Sequence, residues 1–363
     1  MMEDRPLQLS SERYYQSRGA LQVFPEEVLA HGNSVLIVTD HTVYPKVQEY
    51  LEQTLQKSGI RFRVFWFEGF CSPKNYEGAA QAAKSMKASV IAGIGGGRVM
   101  DTAKIASDLC HVRCITIPTS AATCAATALL AVKYTDEGQF RGNYWPVHVP
   151  AATIADLDVI VSNCPVRYNA AGIVDSMAKY PEISYNMQYT GFWKDNLYSK
   201  VACSGANEIY RLLLETGREV LSKMQANVCD QQVENCICAT LSGTGLISCL
   251  ASGGKQAAVS HCLYSFFCDT QPGLARKFLH GEIVGASLPY QLMVDGKGEK
   301  QALELFTFLK TINLPACMDD LEYHPTRESL DEMYEYLRVK MPIQESSELE
   351  RLQAFENVLL HGC

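Results

Sequence analysis

The chain has 363 residues, 47% hydrophobic and 20% charged, which is apolar mass for about two packed domains and excludes a disordered chain. Forty acidic residues against 32 basic ones give a net charge of −8, so no basic field is available to hold a phosphate backbone, and nucleic acid is not an expected partner. Fourteen cysteines lie scattered through apolar stretches of a chain too long to need covalent staples, and they read as free thiols of a reducing compartment.

Taken in chain order, Glu3, Asp4 and Arg5 precede any apolar run, unlike a signal peptide. No uncharged apolar stretch of about 18 residues follows. The expectation is a cytoplasmic protein with no membrane partner. Ser34 to Thr39 is a short β-branched run suited to a strand buried on both faces. Val43 to Leu55 has helical spacing, Arg61 to Phe67 alternates as a strand, and Tyr76 to Met86 is Ala-rich and helical. Ala88 to Ile94 and Cys114 to Thr119 are two more strands, with a helix from Asp101 to Cys110 between them. This alternation predicts an α/β doubly wound parallel sheet. After about Asn169 the β-branched runs stop, and Lys200 to Met224 and Gln231 to Leu250 carry helical periodicity, with Cys236 and Cys238 as helix residues. Asn163, Cys164 and Pro165 interrupt the pattern, which predicts two domains, 1–165 and 166–363, the second all-α.

The strongest local signal is GIGGGRVMDTAK, residues 93–104, a triple glycine directly after a strand and before a helix. Backbone without Cβ atoms can approach a ligand closely, and amides at a helix N-terminus favour an anion such as pyrophosphate. A tight turn without a ligand is the plain alternative. Asp40 ends the first buried strand, where a carboxylate can accept hydrogen bonds from a ribose diol and repel a 2′-phosphate, or can cap the next helix. Asp175, His261 and His280 form a second group, one carboxylate and two imidazoles, a donor set that could hold a divalent ion with a position left for a substrate oxygen. Sequence separation does not show that they converge, and either histidine could be structural.

Together these segments resemble the glycerol dehydrogenase group of the iron-containing alcohol dehydrogenase superfamily, nearest its 2-hydroxycarboxylate dehydrogenase branch. The resemblance runs from about Val35 to Val284 through GIGGGRVMDTAK, the IPTSAATCAA stretch from Ile117, the YTDEG turn at Tyr134, AAGIVDSMAKY at Ala170 and FLHGE at Phe278. It implies a dehydroquinate synthase-like, iron-containing alcohol dehydrogenase-like fold, with a dinucleotide-binding α/β domain and a helical metal-binding domain. Cofactor contacts carry over to Gly95, Gly96, Gly97, Asp101 and Asp40, and to Thr119 and Thr123 near the nicotinamide or ribose. Metal ligands carry over to Asp175, His261 and His280. NAD(H) and one divalent ion, zinc or iron, are the implied cofactors.

Three positions depart from the family pattern. The second histidine of its H-x-x-H or H-x-x-x-H pair is absent, and Tyr264 or Ser265 stands there. Val174 replaces a glycine before the metal aspartate, where a branched side chain could crowd the ion. Cys124 stands where glycerol dehydrogenases place a carboxylate that holds polyol hydroxyls. With Cys124 and Tyr264 counted among the catalytic candidates, the reading is an oxidoreductase of a small-molecule hydroxyl substrate, a 2-hydroxy acid before a polyol or alcohol. Arg98, Lys133 and Lys179 are the cations near the motifs that an acidic substrate could use. A dehydroquinate synthase-like or deoxy-inosose synthase-like cyclase, or a non-catalytic NAD-binding relative, are the alternatives. Homo-oligomerisation is left open.

Overall fold

The computed structural model describes residues 8–189, 195–251, 257–294 and 299–340. Its contacts divide the chain into two units, Met1–Asn169 with Lys223–Cys249, and Ala170–Ser222 with Leu250–Cys363.

The first unit is built on eight strands: β1 (Arg13–Ser17), β2 (Ser34–Thr39), β3 (Arg61–Trp66), β4 (Val90–Gly95), β5 (Arg113–Pro118), β6 (Ala131–Tyr134), β7 (Phe140–Tyr144) and β8 (Ala152–Asp156). Six form one sheet in the order β1-β8-β5-β4-β2-β3, every pair parallel, and β6 and β7 form an antiparallel hairpin. The helices among them are α1 (Phe24–Leu29), α2 (Gln48–Lys57), α3 (Pro73–Met86), α4 (Gly97–Cys110) and α5 (Leu157–Ser162). Because side chains alternate along a strand, Val35 and Ile37 of β2 share a core with Leu51 and Leu55 of α2. Leu36 and Val38 enter a second core with Ala79 and Ala83 of α3 and Val99 and Ala103 of α4. Both faces of the sheet are covered, as its apolar strands require.

The four strands expected between residues 34 and 119 form β2 to β5. Strands β1 and β8 extend the sheet beyond them, and their pairing joins Arg13 to Ala152 across most of the unit's sequence. Helical elements continue through α6 (Val166–Tyr189), α7 (Leu197–Gln225), α8 (Gln231–Cys238) and α9 (Thr244–Leu250). A π-helical turn at Ala239–Gly243 makes α8 and α9 one continuous helix. That helix is long and apolar enough to cross a membrane by composition, but Val233, Cys236, Ile237 and Leu241 are buried in this structure. It belongs to the first unit as far as Cys249, within the segment Lys223–Cys249. The reason is specific: Thr127 Oγ1 donates to Leu241 O at 2.7 Å, and a Cβ on Gly245 would fall 1.9 Å from that same Oγ1.

The second unit is helical: α6 from Ala170 onward, most of α7, α10 (Val259–Thr270), α11 (Pro272–Ala275), α12 (His280–Val294), α13 (Glu299–Thr311) and α14 (Arg327–Lys340). Its core gathers Tyr185, Leu263, Phe266, Phe267, Ile283, Tyr290 and Leu330. The thirteen cysteines among the described residues are all free.

Candidate functional site

In the first unit, strand register sets the predicted cofactor residues side by side. Val38 of β2 pairs with Gly93 of β4, and Gly95 of β4 pairs with Pro118 of β5. Asp40, Gly95–Gly97 and Thr119 therefore all lie at the carboxyl ends of adjacent parallel strands. From β2 the chain runs outward to β3 and returns on the other side as β4, so the glycine turn stands at a reversal of strand order, where open α/β sheets bind ligands. A Cβ on Gly95 would meet Val99 Cγ2 at 2.9 Å and one on Gly97 would meet Thr123 Cγ2 at 2.8 Å, while one on Gly96 would meet nothing within 4 Å. The outer two glycines are required by packing, and the middle one opens onto space a phosphate could fill.

Asp40 uses Oδ1 to accept from the backbone N–H groups of Thr42 and Val43 at 2.8 and 2.9 Å. These bonds close the turn at residues 41–43 and do not cap the next helical segment, whose N-cap is Val43, and they engage one oxygen of the two. Asp101 lies buried one turn into α4. Its Oδ1 lies 2.8 Å from Lys104 Nζ, and its Oδ2 accepts from Val132 N at 3.0 Å. Burial pushes the Asp101 carboxyl up against the opposing pull of Lys104. Its observed contacts make it a positioning residue. Lys104, which sequence reading passed over, donates to the carbonyls of Ala125, Ala128 and Leu130 and so shapes the loop carrying Thr123 and Cys124. Asn169 assists by accepting from Ala121 N at 2.9 Å. Cys124 is buried at 4.0 Å from Ser248 Oγ, and Thr123 Oγ1 caps the turn at Ala125 N.

In the second unit, Asp175 of α6, His261 of α10 and His280 at the start of α12 converge, with one donor atom from each lying within 4.8 Å of the others. Asp175 Oδ1 is 3.4 Å from His261 Nε2 and 3.2 Å from His280 Nε2. It is buried and makes no well-formed hydrogen bond, an orphaned oxygen facing two imidazole nitrogens. Buried polar atoms are rarely left so, and a divalent ion would satisfy this arrangement. The donor set fits a metal. Burial would raise the Asp175 carboxyl, but Lys179 and the two imidazoles hold it well below the usual carboxylate range. At His280 burial prevails over Asp175 and lowers the imidazole, favouring the neutral form that ligates.

Sequence reading missed Glu182, fully buried seven residues after Asp175 and therefore on the same helix face. Its Oε2 lies 2.5 Å from His261 Nδ1, and its Oε1 accepts from the N–H groups of Ala258 and His261, both at 2.9 Å. Burial pulls His261 down, yet Glu182 and Asp175 outweigh it and the imidazole ends raised. The signal was available in the helical spacing of Asp175, Lys179 and Glu182.

The iron-containing alcohol dehydrogenase family model matches residues 11–157. A glycerol dehydrogenase of Pseudomonas putida is 30% identical over 322 residues, 88% of this chain and 86% of that protein. This chain belongs to the iron-containing alcohol dehydrogenase family. It is an oxidoreductase. Hydroxycarboxylate dehydrogenase A of Escherichia coli K12 is 28% identical over 261 residues, covering 70% of this chain and 69% of that one. The solved glycerol dehydrogenase of Schizosaccharomyces pombe superposes with a TM-score of 0.82 at 22% identity, over 98% of this chain and 91% of that one, a likeness of fold.

Within this family member, the two departures next to the donor set have a structural account. Val174 points its Cγ1 to within 2.6 Å of where a Cβ on Gly285 would sit, so its bulk is received by a notch in α12. Tyr264 packs edge-on against His280, with ring centroids 4.2 Å apart.

Proposed function

We propose that this chain is an NAD(H)-dependent, metal-assisted dehydrogenase of small hydroxyl compounds, with 2-hydroxy acids preferred to polyols. The observation that carries the reading is the buried Asp175–His261–His280 set with its orphaned carboxylate oxygen. When bound, a divalent ion supplies Lewis acidity at a substrate oxygen and a nicotinamide accepts the hydride. Zn²⁺ and Fe²⁺ both suit two imidazoles and a carboxylate.

The chain's own residues do the rest. Glu182 keeps the proton on His261 Nδ1, which leaves the Nε2 lone pair turned toward Asp175. Tyr264 brings a phenol-bearing ring against His280 and takes over the proton relay that the family assigns to its second histidine. Amides at Gly96 and Gly97 receive pyrophosphate, Asp40 accepts from ribose hydroxyls and disfavours a 2′-phosphate, and Thr119 and Thr123 border the nicotinamide end. The relatives include both glycerol and hydroxycarboxylate dehydrogenases. Cys124 supports the acid, because a buried thiol there cannot give a polyol the charge-assisted hydrogen bond of a carboxylate and does not repel a substrate carboxylate.

Metal analysis followed by an NAD-reduction screen over polyols, 2-hydroxy acids and simple alcohols tests the reading. Metal should be present and required, and Cys124→Asp should shift kcat/KM toward glycerol by roughly ten- to a hundredfold, the value of one hydrogen bond to a charged partner. Turnover that survives complete metal removal would overturn the mechanism. A wild-type preference for glycerol over every hydroxy acid would overturn the substrate class.

A further inference from the structure

Helix α10 carries His261 in its first turn, and that turn has no cap of its own. Its N-cap residue, Ala258, offers no side-chain acceptor, so the leading N–H groups must find oxygen elsewhere. Ala258, Val259 and Ser260 are fully buried, which denies those groups water. Two other helices supply the oxygen. Glu182 of α6 accepts from the N–H groups of Ala258 and His261, and Gln291 of α12 accepts from Val259 N–H through Oε1 at 2.7 Å. Gln291 is itself fully buried.

The two caps come from the helices that carry the other two donors, since α6 bears Asp175 and α12 bears His280. Glu182 therefore ties the His261 turn to the Asp175 helix, and Gln291 ties it to the His280 helix. Helices α10 and α12 also share an apolar core through Val259, Leu263, Ile283 and Ala286, but apolar burial is non-directional and sets no register along the helix axes. A hydrogen bond to a buried N–H does, because it demands both a distance and an angle. His261 lies two residues beyond the bonded amide, and its ring centroid is 5.3 Å from that of His280. We infer that Gln291 is a positioning residue for the donor set: its bond to Val259 fixes α10 against α12 and so sets the separation of the His261 and His280 nitrogens that face Asp175 Oδ1. It acts from about three helical turns beyond His280 and is not itself a ligand. The inference rests on the divalent-ion reading above and adds a residue outside the donor set.

The test uses the full chain, stripped of metal and titrated with Zn²⁺ against a chromophoric chelator, then loaded with Co²⁺, whose visible spectrum reports ligand geometry. Gln291→Met keeps the shape of the side chain and removes its acceptor. Zn²⁺ affinity should fall roughly tenfold, the low end for a residue that orients a ligand from outside, and the Co²⁺ bands should shift or lose intensity. NADH affinity should not change. Gln291→Glu keeps an acceptor at the same reach and gives up the donors of the amide, so it isolates the bond to Val259 from the side chain's other contact. It should show the wild-type Co²⁺ spectrum and Zn²⁺ affinity within about threefold of wild type. Either metal readout at the wild-type level in Gln291→Met would overturn the inference and leave the metal reading intact, as would an equal loss in Gln291→Glu. Zn²⁺ and NADH affinity falling together in Gln291→Met would mean general loosening and would also overturn it. If the wild type itself binds neither ion, the metal reading fails and the inference falls with it. Should Gln291→Met not fold, Gln291→Leu takes its place, and loss of fold in both makes the contact purely structural and overturns the inference.

Discussion

Glu182 decides which nitrogen of His261 can serve as a ligand. Its Oε1 is committed to two backbone N–H groups, so only Oε2 is left to face Nδ1, and a carboxylate there can only accept. The imidazole is therefore protonated at Nδ1 and keeps a lone pair for a metal at Nε2. Glu182→Gln should reverse this although it changes hardly any volume. The glutamine oxygen must stay with the two N–H groups, its NH₂ then faces Nδ1, and the proton is forced onto Nε2. We expect metal affinity to fall about 10- to 100-fold, read by competition with a chromophoric chelator, with little change in NADH affinity. Affinity at the wild-type level would show that Glu182 does not set the tautomer. Val174 illustrates a different residue-scale outcome: the sequence suggests crowding, but which way a side chain faces depends on its partner helix, and the partner offers Gly285.

At the scale of elements, the donor set exists because α12 packs very close to α6. A Cβ on Gly281 would fall 2.0 Å from Ala171 O and 2.7 Å from its carbonyl carbon, and backbone cannot move aside as a side chain can. Gly281 follows His280, and Ala171 precedes Asp175 by one helical turn, so the approach that excludes a Cβ is the one that joins the two ligands. Gly281→Ala should cost about 1–3 kcal/mol, more than the gain of about 1 kcal/mol in helix propensity, and should lower both melting temperature and metal content. Gly285→Ala should cost less, because its nearest neighbour is the Val174 side chain. An equally stable Gly281→Ala that holds a full complement of metal would refute the close-packing account. Such contacts also mark how far the sequence was legible. Strands β2, β4 and β5 announce themselves, since burial on both faces demands an unbroken apolar run, and the edge strand β3 does so by alternation. Strands β1 and β8 do not: β1 is an edge strand with half-exposed residues, β8 is a five-residue stretch with two alanines, and what makes them strands is pairing with each other across the chain. The helix from Gln231 to Leu250 is legible as a helix, whereas its packing against Thr127 is fixed by contacts that periodicity does not encode. Asp175, His261 and His280, which the structure brings together, were legible as a group from motif order, and Glu182 was overlooked although it repeats on the Asp175 face.

For the whole molecule, the division of labour follows the division into units. The glycine turn, Asp40, Thr119 and Thr123 belong to the first unit, and Asp175, Glu182, His261 and His280 to the second. A ligand stabilises whatever fold presents its site, by about 2.7 kcal/mol at a hundred times its dissociation constant. Removing the metal acts on the donor set and leaves every residue of the glycine turn in place. His280→Ala, Asp175→Ala and exhaustive chelation of the wild type should therefore each abolish metal retention and alcohol oxidation, while NADH still binds within about threefold of its original affinity by fluorescence titration. NADH should also still raise the melting temperature of the stripped protein. The substitutions remove one ligand of three, and with it the geometry as well as a bond, so partial retention is not expected. If NADH binding disappears together with the metal, the nucleotide contacts do not lie on the glycine turn alone, and the assignment of Gly95, Gly96 and Gly97 as a self-sufficient phosphate cradle fails.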